Sequence, residues 1–182
     1  QCWMSENLNI GTRIDRIVEQ TNNTILEKYC YDDIEANCDT YGGLYQWNEM
    51  MEYSTTPGAQ GICPAGWHLP TFGEWTILIN FLGGANIAGG KMKATGTIES
   101  GTGLWYAPNT GATNESGFSV LPGGYRYSNG NLYDLGNNAY IWSSTEIGVD
   151  QPGCPTFFYN DTFANINGLY KSSGVSSRCV QD

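Results

Sequence analysis

The amino-acid sequence predicts an α+β fold with two main helices, a small twisted antiparallel sheet and long loops. Two observations lead to this prediction. The first half of the chain contains two stretches with the apolar spacing of helices, and the residues after Gly117 form short β-prone runs separated by tight-turn residues. Helices that precede a set of strands are typical of α+β domains. Residues 1–182 are expected to form a single domain, because domains usually contain about 100–200 residues.

The first expected elements are a strand and a short helix. Residues 3–9 have the composition of a first strand, and residues 10–40 are expected to be irregular. Apolar residues then recur at helical spacing at Leu44, Trp47, Met50 and Met51. This spacing predicts a helix over residues 45–52.

The clearest helix begins after Thr71. Glu74 lies three residues after Thr71, which is the arrangement of a capping box. The apolar residues that follow share one helical face: Trp75, Leu78, Ile79 and Leu82. Gly83-Gly84 is expected to end this helix. A further short helix is expected over 88–94, and the Gly-, Thr- and Asn-rich stretch 96–116 should form long loops.

The second half of the chain contains the predicted strands. β-prone runs lie at 118–121, 125–127, 131–133, 139–143, 156–160, 162–166, 169–171 and 175–181. Ser128-Asn129-Gly130 predicts a hairpin between the second and third of these runs. Asn167-Gly168 predicts a second tight turn, which would place Asn165 beside Leu169.

The charge balance excludes several classes of partner. The chain has 8 Lys and Arg against 18 Asp and Glu, a formal net charge of −10. Nucleic-acid-binding proteins show basic patches, and anionic membrane surfaces attract basic segments. No apolar run approaches the roughly 20 residues of a membrane span. We therefore expect no nucleic-acid partner and no membrane insertion by this domain.

The cysteines indicate an oxidising compartment, and therefore an extracellular or cell-surface location. They are Cys2, Cys30, Cys38, Cys63, Cys154 and Cys179. Cys30 and Cys38 flank a short segment and are expected to form a local disulfide bridge. The other pairings stay open at this point. Because the sequence starts abruptly at Gln1, we expect a C-terminal module of a larger exported protein.

No residue pattern predicts an enzyme, a metal site or a cofactor. His68 is the only histidine, and its place between Trp67 and Leu69 favours a packed structural imidazole over a general base. A cluster of acidic residues near Cys30–Cys38 lacks the spacing of a calcium loop, so a solvated acidic loop is expected and calcium binding stays open. Its members are Asp32, Asp33, Glu35 and Asp39.

Several motifs resemble one bacterial protein family. They are CWM at 2–4, YGGLYQW at 41–47, GICPAGWHLPT at 61–71, GFSVLPGG at 117–124, WSST at 142–145 and SRCV at 177–180. Together they resemble the Fibrobacter succinogenes major paralogous domain over nearly the whole chain. The resemblance implies a bacterial surface protein with a C-type-lectin-like fold, and a binding module instead of a metabolic enzyme.

The resemblance also implies roles for single residues. The last strand of such a fold returns to the fixed part of the domain, next to its earlier elements. This favours a Cys63–Cys179 bridge and leaves Cys2 and Cys154 either paired or free. Five tryptophans lie in family-like motifs and are expected in the core: Trp3, Trp47, Trp67, Trp75 and Trp142. The calcium-dependent sugar motifs of vertebrate-type C-type lectins are replaced here by Gln151-Pro152-Gly153 and Trp142-Ser143-Ser144.

The segment 147–170 is the predicted binding face. Strand alternation buries only every second side chain, so many of its aromatic residues must face outward. Exposed Tyr and Phe beside Asn and Asp make a good recognition surface. The predicted ligand-binding residues are Asp150, Phe157, Tyr159, Asp161, Phe163, Asn165, Asn167, Leu169 and Tyr170. The alternative is an amphipathic hairpin that covers the core.

Three functional hypotheses follow. The first is an adhesin-like module that recognises a protein or glycan ligand on another cell or surface through residues 147–170. The second is a carbohydrate-binding accessory domain of a polysaccharide-degrading system, with Trp105 and Tyr106 as stacking platforms. The third is an enzyme of the formylglycine-generating type, with Cys154 and Cys179 as its thiols.

The resemblance further implies diversification by a retroelement, because relatives of this domain include targets of diversity-generating retroelements that rewrite adenines. Rewriting the adenines of asparagine codons cannot produce Lys, Glu, Trp or Met. Residues 147–170 contain none of these four residue types, which agrees with the retroelement hypothesis, although many short loops would meet the same condition.

Overall fold

The computed structural model describes residues 1–182 and combines four α-helices with twelve short strands. The helices are α1 (Glu35–Tyr41), α2 (Trp47–Met50), α3 (Phe72–Phe81) and α4 (Ala85–Met92). The strands are β1 (Thr12–Arg13), β2 (Glu27–Lys28), β3 (Tyr45–Gln46), β4 (Trp67–His68), β5 (Gly123–Arg126), β6 (Leu132–Leu135), β7 (Asn138–Tyr140), β8 (Glu146–Gly148), β9 (Gln151–Phe158), β10 (Asn165–Gly168), β11 (Gly174–Val175) and β12 (Val180–Gln181). This content confirms the prediction of a mixed α+β protein.

The main sheet has eight strands in the order β10-β9-β7-β5-β11-β3, with β6 beside β5 and β8 beside β9. Strands β5 and β7 run parallel, with Gly124 opposite Ala139. The predicted small antiparallel sheet is therefore corrected to a larger, mixed sheet in which all pairs but this one are antiparallel. After β6 turns back along β5, the chain turns once more, so β7 returns in the direction of β5.

Side-chain alternation along β7 and β9 divides the core between the two faces of this sheet. Cys154 of β9 packs in one cluster of buried residues and Phe157 packs in another. The first core consists of Leu8, Tyr45, Trp47, Met50, Met51, Ile62, Cys63, Leu69, Trp142, Cys154, Val175 and Cys179. The second core consists of Trp75, Ile79, Leu82, Ala88, Met92, Trp105, Phe118, Val120, Ala139, Ile141, Phe157 and Ala164. The helices α3 and α4 cover the second core.

Helix α3 has the predicted capping box and the predicted end. The Thr71 hydroxyl accepts a hydrogen bond from the Glu74 amide (3.2 Å), and the Glu74 carboxylate accepts one from the Thr71 amide (2.8 Å). Gly83 and Gly84 end the helix with φ of +105° and +93°. These contacts are local in sequence, which is why the sequence predicted them.

The predicted helix over 45–52 is only one turn long. Tyr45 instead belongs to β3, where it lies opposite Val175 of β11. The helix expected over 88–94 lies earlier, over Ala85–Met92, and begins directly after Gly84. Residues 10–40 are also more ordered than expected, because they contain β1, β2 and α1.

No strand forms over residues 3–9, apart from a single bridge between Trp3 and Val180. The segment still lies along the C-terminal residues, because the Met4 amide donates to the Cys179 carbonyl (3.1 Å) and the Leu8 amide donates to the Ser177 carbonyl (2.9 Å). These bonds are not in one register, so no regular ladder forms. The buried Arg178 guanidinium also donates hydrogen bonds to the Met4 carbonyl (3.4 Å) and the Asn7 side-chain oxygen (2.7 Å). The run 175–181 is interrupted at the same place and forms the separate strands β11 and β12. Residues 118–121 form no strand either, only a bridge between Lys93 and Val120.

The first predicted hairpin is confirmed and the second is wrong. Tyr125 lies opposite Tyr133 across the turn at 128–130, as expected. Asn167, in contrast, lies within β10 opposite Cys154, and Asn165 lies opposite Thr156 instead of beside Leu169. The chain reverses over residues 159–164, between β9 and β10.

Both expected disulfides are present, between Cys30 and Cys38 and between Cys63 and Cys179. Cys2 and Cys154 are unpaired, which resolves the alternative left open by the sequence. Cys154 is buried, and burial raises the pKa of its thiol. A buried thiol of raised pKa carries little nucleophilic thiolate.

Candidate functional site

The turn between β9 and β10 is held in place from inside the protein. Lys93 is fully buried, and its ammonium group donates hydrogen bonds to three carbonyls, those of Thr110 (3.0 Å), Phe158 (2.8 Å) and Asp161 (2.8 Å). Burial lowers the pKa of Lys93 to about 8. All three ammonium protons are used, so this lysine fixes the backbone of the turn.

Helix α4 supports the same turn through its backbone. The Ala164 amide donates to the Ala85 carbonyl (2.9 Å), and the Gly90 amide donates to the Thr162 carbonyl (3.1 Å). A Cβ atom at Gly89 would overlap with the Phe163 carbonyl. Glycine at this position therefore allows the turn to approach the helix closely.

The opposite end of the hairpin is held by Lys171. Its ammonium group lies 2.7 Å from the Glu146 carboxylate, 3.9 Å from the Asp150 carboxylate and 4.5 Å from the centre of the Trp47 ring. The Leu169 amide also donates to the Pro152 carbonyl (3.1 Å). These contacts bring the turn between β8 and β9 next to the residues that follow β10.

The predicted binding residues form two groups instead of one cluster. Asp150, Leu169 and Tyr170 lie at the Lys171 end of the hairpin, whereas Tyr159, Asp161 and Phe163 lie at the Lys93 end. Strand β9 has 8 residues, so it separates the two ends by roughly 25 Å. Asn165 and Asn167 lie along β10 between them.

Most of the predicted binding residues are accessible to a ligand, but two of them pack against the cores instead. Phe157 has no exposed surface, because it faces the second core opposite Ala139. Leu169 is half-buried against the first core. Those with solvent-exposed side chains are Asp150, Phe163, Asn165, Asn167 and Tyr170, and those that are half-buried are Tyr159 and Asp161.

The structure adds exposed apolar residues that the sequence analysis did not select. Val149 is 91% exposed and Ile147 is 45% exposed. Phe72, Ile147 and Ile166 converge above Gly153, where a Cβ atom would lie 3.2–3.6 Å from all three side chains. The sequence did contain a signal for these residues. Ile147 and Val149 alternate around a glycine, which is typical of an exposed strand with one apolar face.

The structure argues against Trp105 as a stacking platform and against Cys154 and Cys179 as a pair of reactive thiols. Trp105 is fully buried, and its indole N–H donates to the Val120 carbonyl (3.1 Å), so its ring cannot stack on a sugar. Tyr106 is 41% exposed. Cys179 is bonded to Cys63, so Cys154 and Cys179 cannot act as a pair of reactive thiols.

Three of the four acidic residues near the Cys30–Cys38 disulfide form ion pairs with cations of the same chain: Asp32, Asp33 and Glu35. Asp33 lies 3.5 Å from Arg16, and Glu35 lies 2.8 Å from Lys28. Glu35 and Asp39 belong to α1, so these residues do not form the loop that was expected, although Glu35 and Asp39 are exposed to solvent as a solvated acidic loop would be. No group of three or more His, Cys, Asp or Glu side chains is arranged to hold a metal ion.

His68 lies between two carboxylates. Its Nε2 is 2.8 Å from the Glu74 carboxylate and its Nδ1 is 2.8 Å from the Asp182 carboxylate. Burial alone would lower the pKa of His68, but the hydrogen bonds to Asp182 and Glu74 outweigh it and raise this pKa. Both ring nitrogens are therefore occupied, as expected for a structural imidazole. That the chain is not an enzyme stays a prediction.

We predict that His68→Gln lowers stability more at acidic than at alkaline pH. A raised folded-state pKa means that the imidazolium contributes fully below its unfolded pKa of about 6.5, and that this contribution is lost as the pH rises through the folded-state pKa. Urea unfolding of the wild-type protein and of His68→Gln at about pH 5.5 and about pH 8.5 measures the loss of stability at each pH. An equal loss at both pH values would show that the imidazole acts only by packing.

The comparisons with known proteins give one match. The family model described as Fibrobacter succinogenes major domain matches residues 1–181. No curated protein and no solved structure matches the chain. None of the helices has both the length and the apolar character that crossing a membrane requires.

Proposed function

This chain belongs to the Fibrobacter succinogenes major domain family, and we propose that it is an adhesin-like, ligand-binding module. The observation that supports this most is a group of exposed side chains at the Lys171 end of the hairpin, which we call the tip surface: Ile147, Val149, Asp150 and Tyr170. Tyr170 is 55% exposed. Exposed apolar residues gathered at one place are typical of interaction sites.

The tip surface is suited to binding because its backbone is already fixed. Lys171 contacts Glu146, Asp150 and the Trp47 ring, and the Trp47 amide donates to the Lys171 carbonyl (3.1 Å). A surface that is rigid before binding loses little conformational entropy when a ligand arrives. The aliphatic side chains of Ile147 and Val149 favour a protein ligand, because aliphatic groups offer no flat face for a sugar ring.

The ligand in this proposal lies on another cell or surface, and the module is displayed by an exported bacterial protein. The two disulfides support an oxidising location. We also propose a C-type-lectin-like fold. Its support is the contact between the chain ends through the bridge of Trp3 with Val180, together with the long stretch without helix or strand between α4 and β5.

We further propose that residues 147–170 are a target of retroelement diversification. The support is structural tolerance, because Val149, Asp150, Asn165, Asn167 and Tyr170 are exposed while buried Lys93 holds the backbone of the turn. The genomic neighbourhood tests this proposal. An adjacent reverse transcriptase with a template repeat of this segment is the expected finding, and the absence of both would contradict it.

We predict that Tyr170→Ala weakens ligand binding by about tenfold or more without lowering the melting temperature. Aromatic anchors usually dominate binding energy, and truncating one commonly costs about 2 kcal/mol. A ligand would be found with a glycan array and a library of host and phage surface proteins, and its affinity then measured by calorimetry. Tyr127→Ala is the matched control, since Tyr127 is 42% exposed but lies in the β5–β6 turn.

Equal losses in both tyrosine variants would contradict binding at the tip surface. Tyr159→Ala is a less selective probe than Tyr170→Ala, because Tyr159 packs against the second core. Val149→Ser provides a second test at the tip, since Val149 is 91% exposed and its replacement leaves no cavity. We expect it to weaken binding in the same direction as Tyr170→Ala.

A further inference from the structure

Three tyrosines form a row on the sheet away from the tip surface. We call Tyr125, Tyr133 and Tyr140 the tyrosine row. Tyr125 lies opposite Tyr133 with the ring centres 5.6 Å apart, and the Tyr140 ring meets Tyr125 edge-on at 5.0 Å. Tyr133 is 43% exposed, and the other two are half-buried. The row thus presents aromatic surface to solvent across β6, β5 and β7.

A carboxylate lies beside this row with one oxygen unused. The Oδ2 atom of Asp134 accepts hydrogen bonds from the Tyr140 hydroxyl (2.7 Å) and from the side-chain Nδ2 of Asn138 (2.9 Å). No hydrogen bond reaches Oδ1. The backbone of Asp134 has φ of +68°, a conformation in which Asp and Asn are among the few tolerated residues. The two bonds and this backbone fix where the carboxylate points.

No cation of the chain is available to Asp134. No Lys, Arg or His lies within 4.0 Å of its carboxylate, although the chain has 8 Lys and Arg in all. Those that already pair with other carboxylates are Arg13, Arg16, Lys28, Lys91, Arg126 and Lys171. The remaining two, Lys93 and Arg178, are buried and bonded to carbonyls. The charge of Asp134 therefore has no internal partner.

We propose that the tyrosine row and Asp134 bind an arginine side chain of a protein partner. The faces of tyrosine rings attract cations, and arginine is the cation found there most often. Its planar guanidinium group can stack on Tyr133 while an N–H group donates to the free Oδ1 of Asp134. Charge complementarity favours this ligand, because a neutral sugar could stack on the same rings but would leave the carboxylate uncompensated.

This site is independent of the tip surface. It lies on β5, β6 and β7, and neither Asp134 nor any of the three tyrosines belongs to the segment 147–170. A partner with arginine at this position could contact both surfaces or only one. Failure of one proposal leaves the other standing, since each has its own variants and its own readout.

The test is an NMR titration of the whole chain with N-acetyl-arginine amide. We expect saturable shifts of the amide signals of Tyr125, Tyr133 and Tyr140. Tyr133→Leu and Asp134→Asn should each weaken binding by about two- to fivefold, the size expected for an exposed cation–π contact. Asparagine is used because it tolerates the backbone of Asp134, and the two variants check each other if one of them folds poorly.

Three matched controls separate this site from general attraction to an acidic protein. Glu6→Gln removes one exposed charge that makes no ion pair or hydrogen bond, and Tyr127→Leu removes a tyrosine of the same exposure outside the row. N-acetyl-citrulline amide replaces the guanidinium by a neutral group of similar shape. Neither Glu6→Gln nor Tyr127→Leu should weaken binding of the arginine probe as the site variants do. The citrulline probe should not bind as the arginine probe does.

Several outcomes would overturn the proposal. If Glu6→Gln or Tyr127→Leu weakened binding as much as Asp134→Asn, the arginine probe would be attracted unspecifically to the acidic protein. Equal shifts with the citrulline probe would show that charge plays no part. Shifts of the same residues with cellotetraose, and none with the arginine probe, would identify the row as a sugar-binding surface instead.

Discussion

Replacing both Cys63 and Cys179 by alanine is expected to lower the free energy of unfolding by about 5 kcal/mol. The two cysteines are 116 residues apart, and in the chain-entropy model closing a loop of this length restricts the unfolded chain by about that amount. Both residues also lie in the first core. Typical domains are stable by only about 5–15 kcal/mol, so much of the stability depends on this bond.

The local disulfide provides the control. Cys30 and Cys38 are only 8 residues apart, so the same model gives about 2.5 kcal/mol for their replacement by alanine. Urea unfolding of the two double variants, followed by tryptophan fluorescence, measures both losses. If the Cys30/Cys38 variant were the less stable of the two, the long loop would not be the source of the stabilisation.

The sequence predicted correctly those features whose interactions are local. The capping box of Thr71 and Glu74 and the hairpin at Ser128-Asn129-Gly130 each depend on residues a few positions apart. A pattern of neighbouring residue types contains most of the information that such features need. The Cys63–Cys179 bridge is distant in sequence, and it was predicted from the family resemblance instead.

The errors arose where distant residues decide the local structure. Asn167-Gly168 is a favourable turn sequence, yet it lies inside β10, because the turn is placed earlier by the contacts of Lys93 with Phe158 and Asp161. The expected strand 3–9 is reduced to a single bridge, because its backbone pairing with residues 177–181 is irregular and the buried Arg178 also bonds to Met4 and Asn7. Neither buried cation could be recognised from sequence, because Lys and Arg are normally exposed.

The candidate site was predicted in outline but not in detail. Residues 147–170 do carry exposed aromatic, acidic and amide side chains, as strand alternation indicated. The sequence could not show that Phe157 faces the helices, since that depends on which side of β9 they cover. The predicted hairpin did bring Tyr125 beside Tyr133, but the sequence contained no sign of Tyr140, which joins them only through the pairing of β5 with β7.

Trp142→Ala is expected to lower the free energy of unfolding by about 3–5 kcal/mol. Trp142 has no exposed surface and lies in the first core, so its removal leaves a large cavity. Its indole N–H also donates to the Tyr45 carbonyl (2.7 Å), which would remain buried without this partner. The loss should appear as a lower melting temperature and a lower urea midpoint.

Two further variants separate packing from binding in this prediction. Trp142→Phe keeps an aromatic ring but loses the bond to Tyr45, so it should cost less than Trp142→Ala. Tyr170→Ala removes a side chain that is 55% exposed, and surface changes usually alter stability by less than about 0.5 kcal/mol. If Tyr170→Ala destabilised the protein as much as Trp142→Ala, the hairpin would serve mainly to cover the core. The proposal that residues 147–170 form a binding face would then have to be abandoned.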